Sequence, residues 1–290
     1  MKSLLLVLVM ICSARAHADA PASLAWNLRP VAATTTIRAD TAIGAFSDAG
    51  VNGETISSVW TFSYKITAHL APLVRFAVTD SRPAMGEKAV AISNPLLGLT
   101  WAPKLSAHWK FATLAGVTVP VGSGGGDDGN PARAAAQKAG VFARSAMDNA
   151  LFAVNDVTPV VGLDLAYVRA GLTIQGEATL FELVRERGGT VDPDKYKTNF
   201  TTGGHVGYFL VPWLCASAEL RYQRYLTTPA AVAMKPVTRD NLTVAGGLRF
   251  VLKLGHGRML RPGVSYARGL DDPMTARDYQ IVQIDLPLSF

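Results

Sequence analysis

Charged side chains recur in this chain at alternate positions between apolar ones, and that spacing restricts the chemistry open to them. Lys65, His69, Arg75, His108, Lys110, Asp164, Gln175, Glu177, His205, Glu219, Arg221, Arg249 and Lys253 all fall on the polar side of a two-residue repeat. Nucleophilic catalysis needs a serine, a histidine and an orienting Asn or Asp brought together. No His-x-Ser-Asn tetrad occurs, and His69, His108, His205 and His256 lack a serine at that spacing. The histidines are dispersed, and Cys215 has no second cysteine once Cys12 leaves with the N-terminal segment, so neither a metal site nor an internal disulfide is expected. Gly124 to Asn130 has the glycine–aspartate character of a calcium turn, but in one copy, and it lacks the Lys-Ser/Thr ending of a phosphate-binding loop; a flexible linker is expected there. No catalytic residue, metal or cofactor is expected.

The elements that position these side chains are strands. Residues two apart share one face of a strand. Ile56, Ser58, Trp60, Phe62, Tyr64, Ile66, Ala68 and Leu70 alternate with Ser57, Val59, Thr61, Ser63, Lys65, Thr67 and His69, which predicts one long strand with an apolar and a polar face. The pattern returns in Phe200 to Leu210, Leu214 to Tyr222 and Leu242 to Leu252, and more weakly near 31–46, 73–82, 90–102, 106–120, 156–168, 172–187 and 258–270. Val282, Ile284, Leu286, Leu288 and the terminal Phe290 complete it.

Residues 1–18 read as a secretory signal peptide: Lys2 gives a positive start, Leu4 to Cys12 an apolar centre, and Ala16-His17-Ala18 a cleavage site. Lipidation of Cys12 fits poorly, because Ile11 precedes it. Residues 19–30 are expected as an N-terminal periplasmic segment and 31–290 as one β domain. Removing Lys2 and Arg15 takes the formal charge from +6 to +4. The remaining bases are scattered without a dense run, which argues against a nucleic-acid partner. After the signal no stretch approaches 18 consecutive apolar residues, so helical membrane spans are excluded.

Long, repeated, one-sided strands predict an all-β fold, a transmembrane antiparallel barrel of about twelve strands. Short turns are expected near Ala71-Pro72, Ala102 to Leu105, Arg169 to Gly171, Val211 to Trp213 and Gly255 to Gly257, with outer loops near 47–53, 83–89, 121–155, 188–196, 229–238 and 271–278. The two sets alternate strictly, as periplasmic turns and extracellular loops do. Trp101, Trp109 and Trp213 sit beside predicted turns, where an interfacial girdle belongs. A soluble sandwich would instead have to bury the apolar face of nearly every strand. A charge facing lipid costs about 2–4 kcal/mol near the midplane. Lys65, Arg75, Lys110, Asp164, Glu177, His205, Glu219, Arg221, Arg249 and Lys253 are therefore expected to line the lumen. Their excess of bases would favour anions in an open pore. The alternative is mutual pairing in a closed interior.

Loop 121–155 breaks the pattern. After Gly122-Ser123-Gly124-Gly125-Gly126 come Asp127 and Asp128, then Asn130 as a cap and Pro131 at the first helical position. A helix is expected to about Asn149, with Ala135, Ala139, Phe142, Ala146 and Met147 as its apolar stripe. Asp127, Asp128, Phe142 and Met147 are the expected contributors to a lid over the barrel mouth; a surface helix is the alternative.

The last strand, ending in Phe290, resembles the C-terminal assembly signal of bacterial outer-membrane barrels. That resemblance implies the outer membrane as location, its lipid as surroundings, and the barrel assembly machinery as a partner. Leu99-Thr100-Trp101-Ala102-Pro103-Lys104 followed by Ala115-Gly116-Val117-Thr118-Val119-Pro120-Val121-Gly122 is similar to the outer-membrane channel family linked to meta-pathway phenol degradation. Members often close this strand with Leu-Pro-Thr-Gly, where this chain reads Val119-Pro120-Val121-Gly122. The resemblance implies a passive channel for small hydrophobic or aromatic solutes. A plugged barrel displaying its loops to partners, and an outer-membrane hydrolase, are the other readings.

Overall fold

The computed structural model describes residues 22–190 and 193–290. The expected signal peptide lies outside them. Strands β1 (Thr36–Asp48), β2 (Val51–Ser63) and β3 (Leu70–Arg82) are followed by β4 (Ala89–Ile92), β5 (Leu96–Trp101) and β6 (Trp109–Thr118). Then come β7 (Asp156–Arg169), β8 (Leu172–Arg185), β9 (Tyr196–Val211) and β10 (Leu214–Tyr225). The last five are β11 (Asp240–Phe250), β12 (Leu252–Gly255), β13 (Arg258–Leu260), β14 (Gly263–Gly269) and β15 (Gln280–Ser289). These fifteen strands make twelve staves, because β4–β5, β11–β12 and β13–β14 are interrupted pairs. Every pairing is antiparallel, and β15 closes on β1 with Ala39 opposite Leu286 and Asp40 opposite Asp285. Closure leaves no free edge to template aggregation.

The two-residue repeat decides which face is which. On β10, Glu219 and Arg221 point inward and are buried, while Leu220 between them is exposed. Leu163 and Leu165 on β7, Ile174 on β8 and Val206 on β9 are likewise exposed on the outer wall. An apolar exterior around a polar interior is the arrangement that hydrocarbon demands. Trp101, Trp109 and Trp213 stand exposed at the end of the barrel that carries the short turns.

Three expected boundaries move. The turn placed at Ala71-Pro72 lies at 64–69, and Pro72 is inside β3. Proline is tolerated there because only its carbonyl is needed, accepting from the Tyr64 N–H at 3.1 Å. The outer loop expected over 47–53 is a two-residue turn, with Ala49 at φ 50° and Gly50 at φ 81°. Both central residues are left-handed, as a type I′ hairpin turn requires. β1 begins at Thr36 rather than 31, because the chain before it runs elsewhere.

The break between β4 and β5 is held by Asn94, which is fully buried. Its Nδ2 donates to the carbonyls of Ala153 (2.8 Å) and Asp156 (3.2 Å), and its Oδ1 accepts from the Gly122 N–H at 2.9 Å. The wall is thereby tied to both ends of the long loop. Asn94→Ala leaves these groups without partners, at about 1–3 kcal/mol for each buried one. The urea midpoint of the refolded barrel should fall clearly; an unchanged midpoint would show that the clamp is dispensable.

Candidate functional site: the barrel lumen

Residues 22–29, expected as part of a periplasmic segment, instead run inside the barrel as a strap. Its backbone has no strand partner, so its N–H groups are met by lumen side chains. Glu219 accepts from the N–H of Trp26 (2.7 Å) and of Asn27 (3.0 Å), and Glu177 accepts from the N–H of Arg29 at 2.6 Å. The Ser23 N–H donates to Thr173 on β8 at 2.9 Å. The Arg29 guanidinium lies 3.0 Å from Asp164 and 3.1 Å from Glu177. Arg249 stacks over the Trp26 indole, 4.3 Å from its centroid, and pairs with Asp285 at 2.7 Å.

The wall is shaped for the strap. Glycines occupy lumen-facing positions where it passes close: a Cβ on Gly207 would run into Ser23 Oγ and one on Gly162 into the Arg29 guanidinium, while on Gly263 it would lie 2.7 Å from the Trp26 ring and on Gly203 2.8 Å from Leu28. Any larger residue would collide with it.

The long loop enters from the opposite end. Helix α1 (Pro131–Ala143) starts as expected, with Asn130 Oδ1 accepting from the Arg133 N–H at 3.0 Å. It stops at Ala143 rather than near Asn149, and a short helix α2 (Asn149–Phe152) follows. Ser145 and Ala146, at φ 55° and 56°, turn the chain between them. The turn aims polar groups at the wall: Arg144 reaches Asp40 on β1 at 2.7 Å, Asp148 reaches Arg75 on β3 at 2.9 Å, and Ser145 Oγ accepts from Arg221 on β10 at 3.0 Å. A segment that touches β1, β3 and β10 at once lies across the interior, not over the surface. Burial pushes the Asp148 carboxyl up, but Arg75 and Arg144 outweigh it and hold it below the usual carboxylate range.

Strap and loop meet inside. Asn27 Nδ2 donates to the Arg144 carbonyl at 3.0 Å, and Met147 packs with Ala25 and Leu28. A cavity of about 20 Å³ between Arg29, Arg75, Asp148 and Leu96 is left at their junction, room for about one water.

Of the residues expected to line the lumen, Asp164, Glu177, His205, Glu219, Arg221 and Arg249 are buried in it, and Arg75 is half-buried against Asp148. Lys65, His69, His108 and Lys253 stand exposed at the rim, because β2 ends at Ser63 and β12 projects as a fully exposed extension. Lys110 is half-buried at the start of β6. In the loop, Met147 is buried and Phe142 packs against Tyr279 at 6.3 Å. Asp127 is exposed and accepts from the Thr190 N–H at 2.7 Å; Asp128 is exposed as well. The buried face of α1 is Ala136, Gln137, Gly140 and Ala143 rather than the expected stripe. Arg29, Arg38, Asp40, Arg144, Asp148 and Asp285 complete the network; Asp285 lies on the polar side of the last strand's repeat, the others on a weak repeat or none.

Ser23 Oγ lies 2.7 Å from His205 Nε2, with Glu219 beyond. The arrangement has the order of a nucleophile relay but not its geometry. Glu219 Oε2 is 3.7 Å from His205 Nδ1 and already accepts from Trp26, so the carboxylate holds the strap and does not orient the imidazole.

Solved structures share this architecture. An outer-membrane channel from Pseudomonas putida F1 superposes with a TM-score of 0.56 at 10% identity, covering 93% of this chain and 100% of the other. The NanC porin gives 0.50 at 9% identity, covering 87% and 98%. The likeness is one of fold. No protein-family model matches the chain, and no curated protein matches it in sequence.

Glu219→Ala removes the acceptor for two strap N–H groups and one partner of the Arg221 guanidinium. Breaking a buried pair costs about 3–5 kcal/mol, so maleimide labelling of an Ala25→Cys, Cys215→Ser barrel should accelerate at least about a hundredfold. Unchanged labelling would mean that Glu219 does not hold the strap. The depressed Asp148 carboxyl stabilises the loop above its ordinary pKa of about 4 and loses that contribution as pH falls through the lower native value. Hydrogen exchange over 144–149, corrected for intrinsic rates, should rise on acidification below about pH 4. A corrected rate that stays flat would contradict the clamp.

Proposed function

We propose that the chain is a passive outer-membrane channel for small hydrophobic or aromatic molecules, shut in this conformation by the strap and the loop. One observation carries the reading: the strap is bonded to the wall through side chains and carboxylate-bound N–H groups, and the loop through side chains and two backbone bonds, from the Asn94 N–H to the Leu151 carbonyl and from the Ser123 N–H to the Ile92 carbonyl, each 2.8 Å, none of them a rung of the ladder. Either can leave while the ladder bonds that close the barrel stay intact.

The lumen surface supports the solute class. Val59, Ala77, Leu96, Leu114, Val160, Phe181 and Leu183 form an apolar strip along β2–β8, now covered by Ala150 to Phe152 of α2. Across from it stand Arg38, Asp40, Arg249 and Asp285. Lifting the loop would uncover an apolar track facing a charged wall, suited to solutes with an aromatic body and a polar end. The similarity read at Leu99 to Gly122 argues for the same class.

The apolar exterior, the tryptophan end and the shared channel fold support an outer-membrane location, with secretion by a cleaved N-terminal signal. Phe290 ends the closing stave, its N–H donating to the Thr35 carbonyl at 3.1 Å, in the position from which the assembly machinery would read it.

The filled interior also favours a second reading, a permanently plugged barrel that displays its loops. Liposome swelling separates the two. Deleting residues 123–149 should raise the swelling rate for small aromatic acids several-fold over the intact chain. Equal rates from two folded barrels would favour the plugged reading.

A further inference from the structure

The two rims of the barrel differ in charge. On the long-loop rim exposed bases are interspersed with acids, and several pair: Arg224 with Asp240 at 3.0 Å, Arg268 with Asp278 at 3.1 Å and Arg277 with Asp48 at 3.0 Å. The short-turn rim carries exposed Lys65, Lys104, Arg169, Lys253 and Arg258, and its turns at 64–69, 102–108, 170–171, 212–213 and 256–257 contain no Asp or Glu. Among the described residues, none of these five cations has a carboxylate within 4.0 Å. His69, His108 and His256 stand exposed on the same rim. An unpaired ring of cations is a standing electrostatic demand for anions.

Beside that ring the outer wall is indented. Trp109, Tyr167 and Ile174 form one row across β6, β7 and β8, and Leu165 and Gly176 form part of the next. Together they line an apolar groove of about 510 Å³. Gly176 opens it, since a Cβ there would meet nothing within 4 Å. The groove closes on an edge-to-face pair, Trp109 and Tyr167, with centroids 5.3 Å apart. Arg169 follows Tyr167 on the same face of β7, about 7 Å nearer the rim, and the His108 ring lies 6.0 Å from Tyr167.

An open apolar groove ending in an amphipathic aromatic pair, with unpaired cations below, has the order of a phospholipid: acyl chain, interface, phosphate. We propose that this groove binds an anionic glycerophospholipid of the periplasmic leaflet, with an acyl chain along Gly176 and Leu165 and the phosphate at Arg169, while the other rim cations hold similar headgroups around the barrel. The inference rests on the reading that the barrel spans the outer membrane with its short turns in the periplasm. A free anion would use the cations and leave the groove, and a neutral lipid would use the groove and leave the cations.

The test is native mass spectrometry of the full refolded barrel from micelles holding equal amounts of dioleoyl phosphatidylglycerol and dioleoyl phosphatidylcholine. One cation near a membrane surface corresponds to about a fivefold preference. The wild type should retain phosphatidylglycerol at least about fivefold over phosphatidylcholine. Arg169→Gln should bring the ratio towards one. Gly176→Phe, which fills open space and leaves the lumen untouched, should reduce retention of both lipids. Equal retention by the wild type, or variants that behave as it does, would overturn the proposal. Flotation with vesicles of each lipid is measured alongside: a barrel that floats without preference contradicts the lipid site alone, whereas one that fails to float contradicts the membrane reading as well.

Discussion

A carboxylate inside a barrel is cut off from bulk water, so its charge has to be met by donors that the fold supplies. Glu219, 1% exposed, takes one guanidinium from its own strand and two backbone N–H groups from a segment 192 and 193 residues away. Much else follows from that requirement. Serving Glu219 and Glu177 fixes the strap in the lumen, and a strap in the lumen requires glycine on the wall beside Ser23, Trp26, Leu28 and Arg29. With the strap in place, Arg144 of the loop can bond both the wall at Asp40 and the strap at Asn27. The interior is one connected polar network, and removing any member leaves another buried group unpaired.

The outer wall was legible because lipid enforces it. Every stave must keep apolar side chains outward, so the two-residue repeat survives even where turn chemistry is ambiguous, and the stave count and the side of each connection followed from it. The inside was legible only in part. Asp164, Glu177, His205, Glu219, Arg221 and Arg249 sit on the polar side of strong repeats, which located them. Arg29 precedes the first repeat, and Arg144 and Asp148 lie in a loop, so no periodicity marks them. Helix propensity in the alanine-rich loop predicted a longer helix than forms, because the bonds of Arg144 to Asp40 and of Asp148 to Arg75 override it. One signal for the strap was present: Gly162, Gly203, Gly207 and Gly263 lie on the polar face, where missing side chains leave room that something else must fill.

On the proposed channel reading, the division of the lumen into an apolar side and a charged side gives closure and passage a common basis. The charged side holds the strap through N–H groups and ion pairs, and the apolar side holds α2 through burial of Leu151 and Phe152. The two attachments are chemically different: a solute with an apolar body competes directly for the second, while release of the strap requires its ion pairs and N–H bonds to be exchanged, and both must give way for the lumen to open. Several buried ion pairs weigh on the closed side of the equilibrium. A solute opens the barrel only as far as it binds the open form better.

The central claim is that the strap closes the lumen, and a covalent lock tests it most directly. The Cys215 thiol faces the Ser23 hydroxyl, so a Ser23→Cys substitution offers a disulfide between strap and wall. Single-channel conductance is then recorded from one reconstituted preparation, oxidised and reduced, with the bond verified by mass. The account predicts that oxidation abolishes openings and that reduction restores them to the level of the reduced Ser23→Cys, Cys215→Ser barrel. Equal conductance in both states, with the disulfide in place, would show that solutes pass without the strap moving.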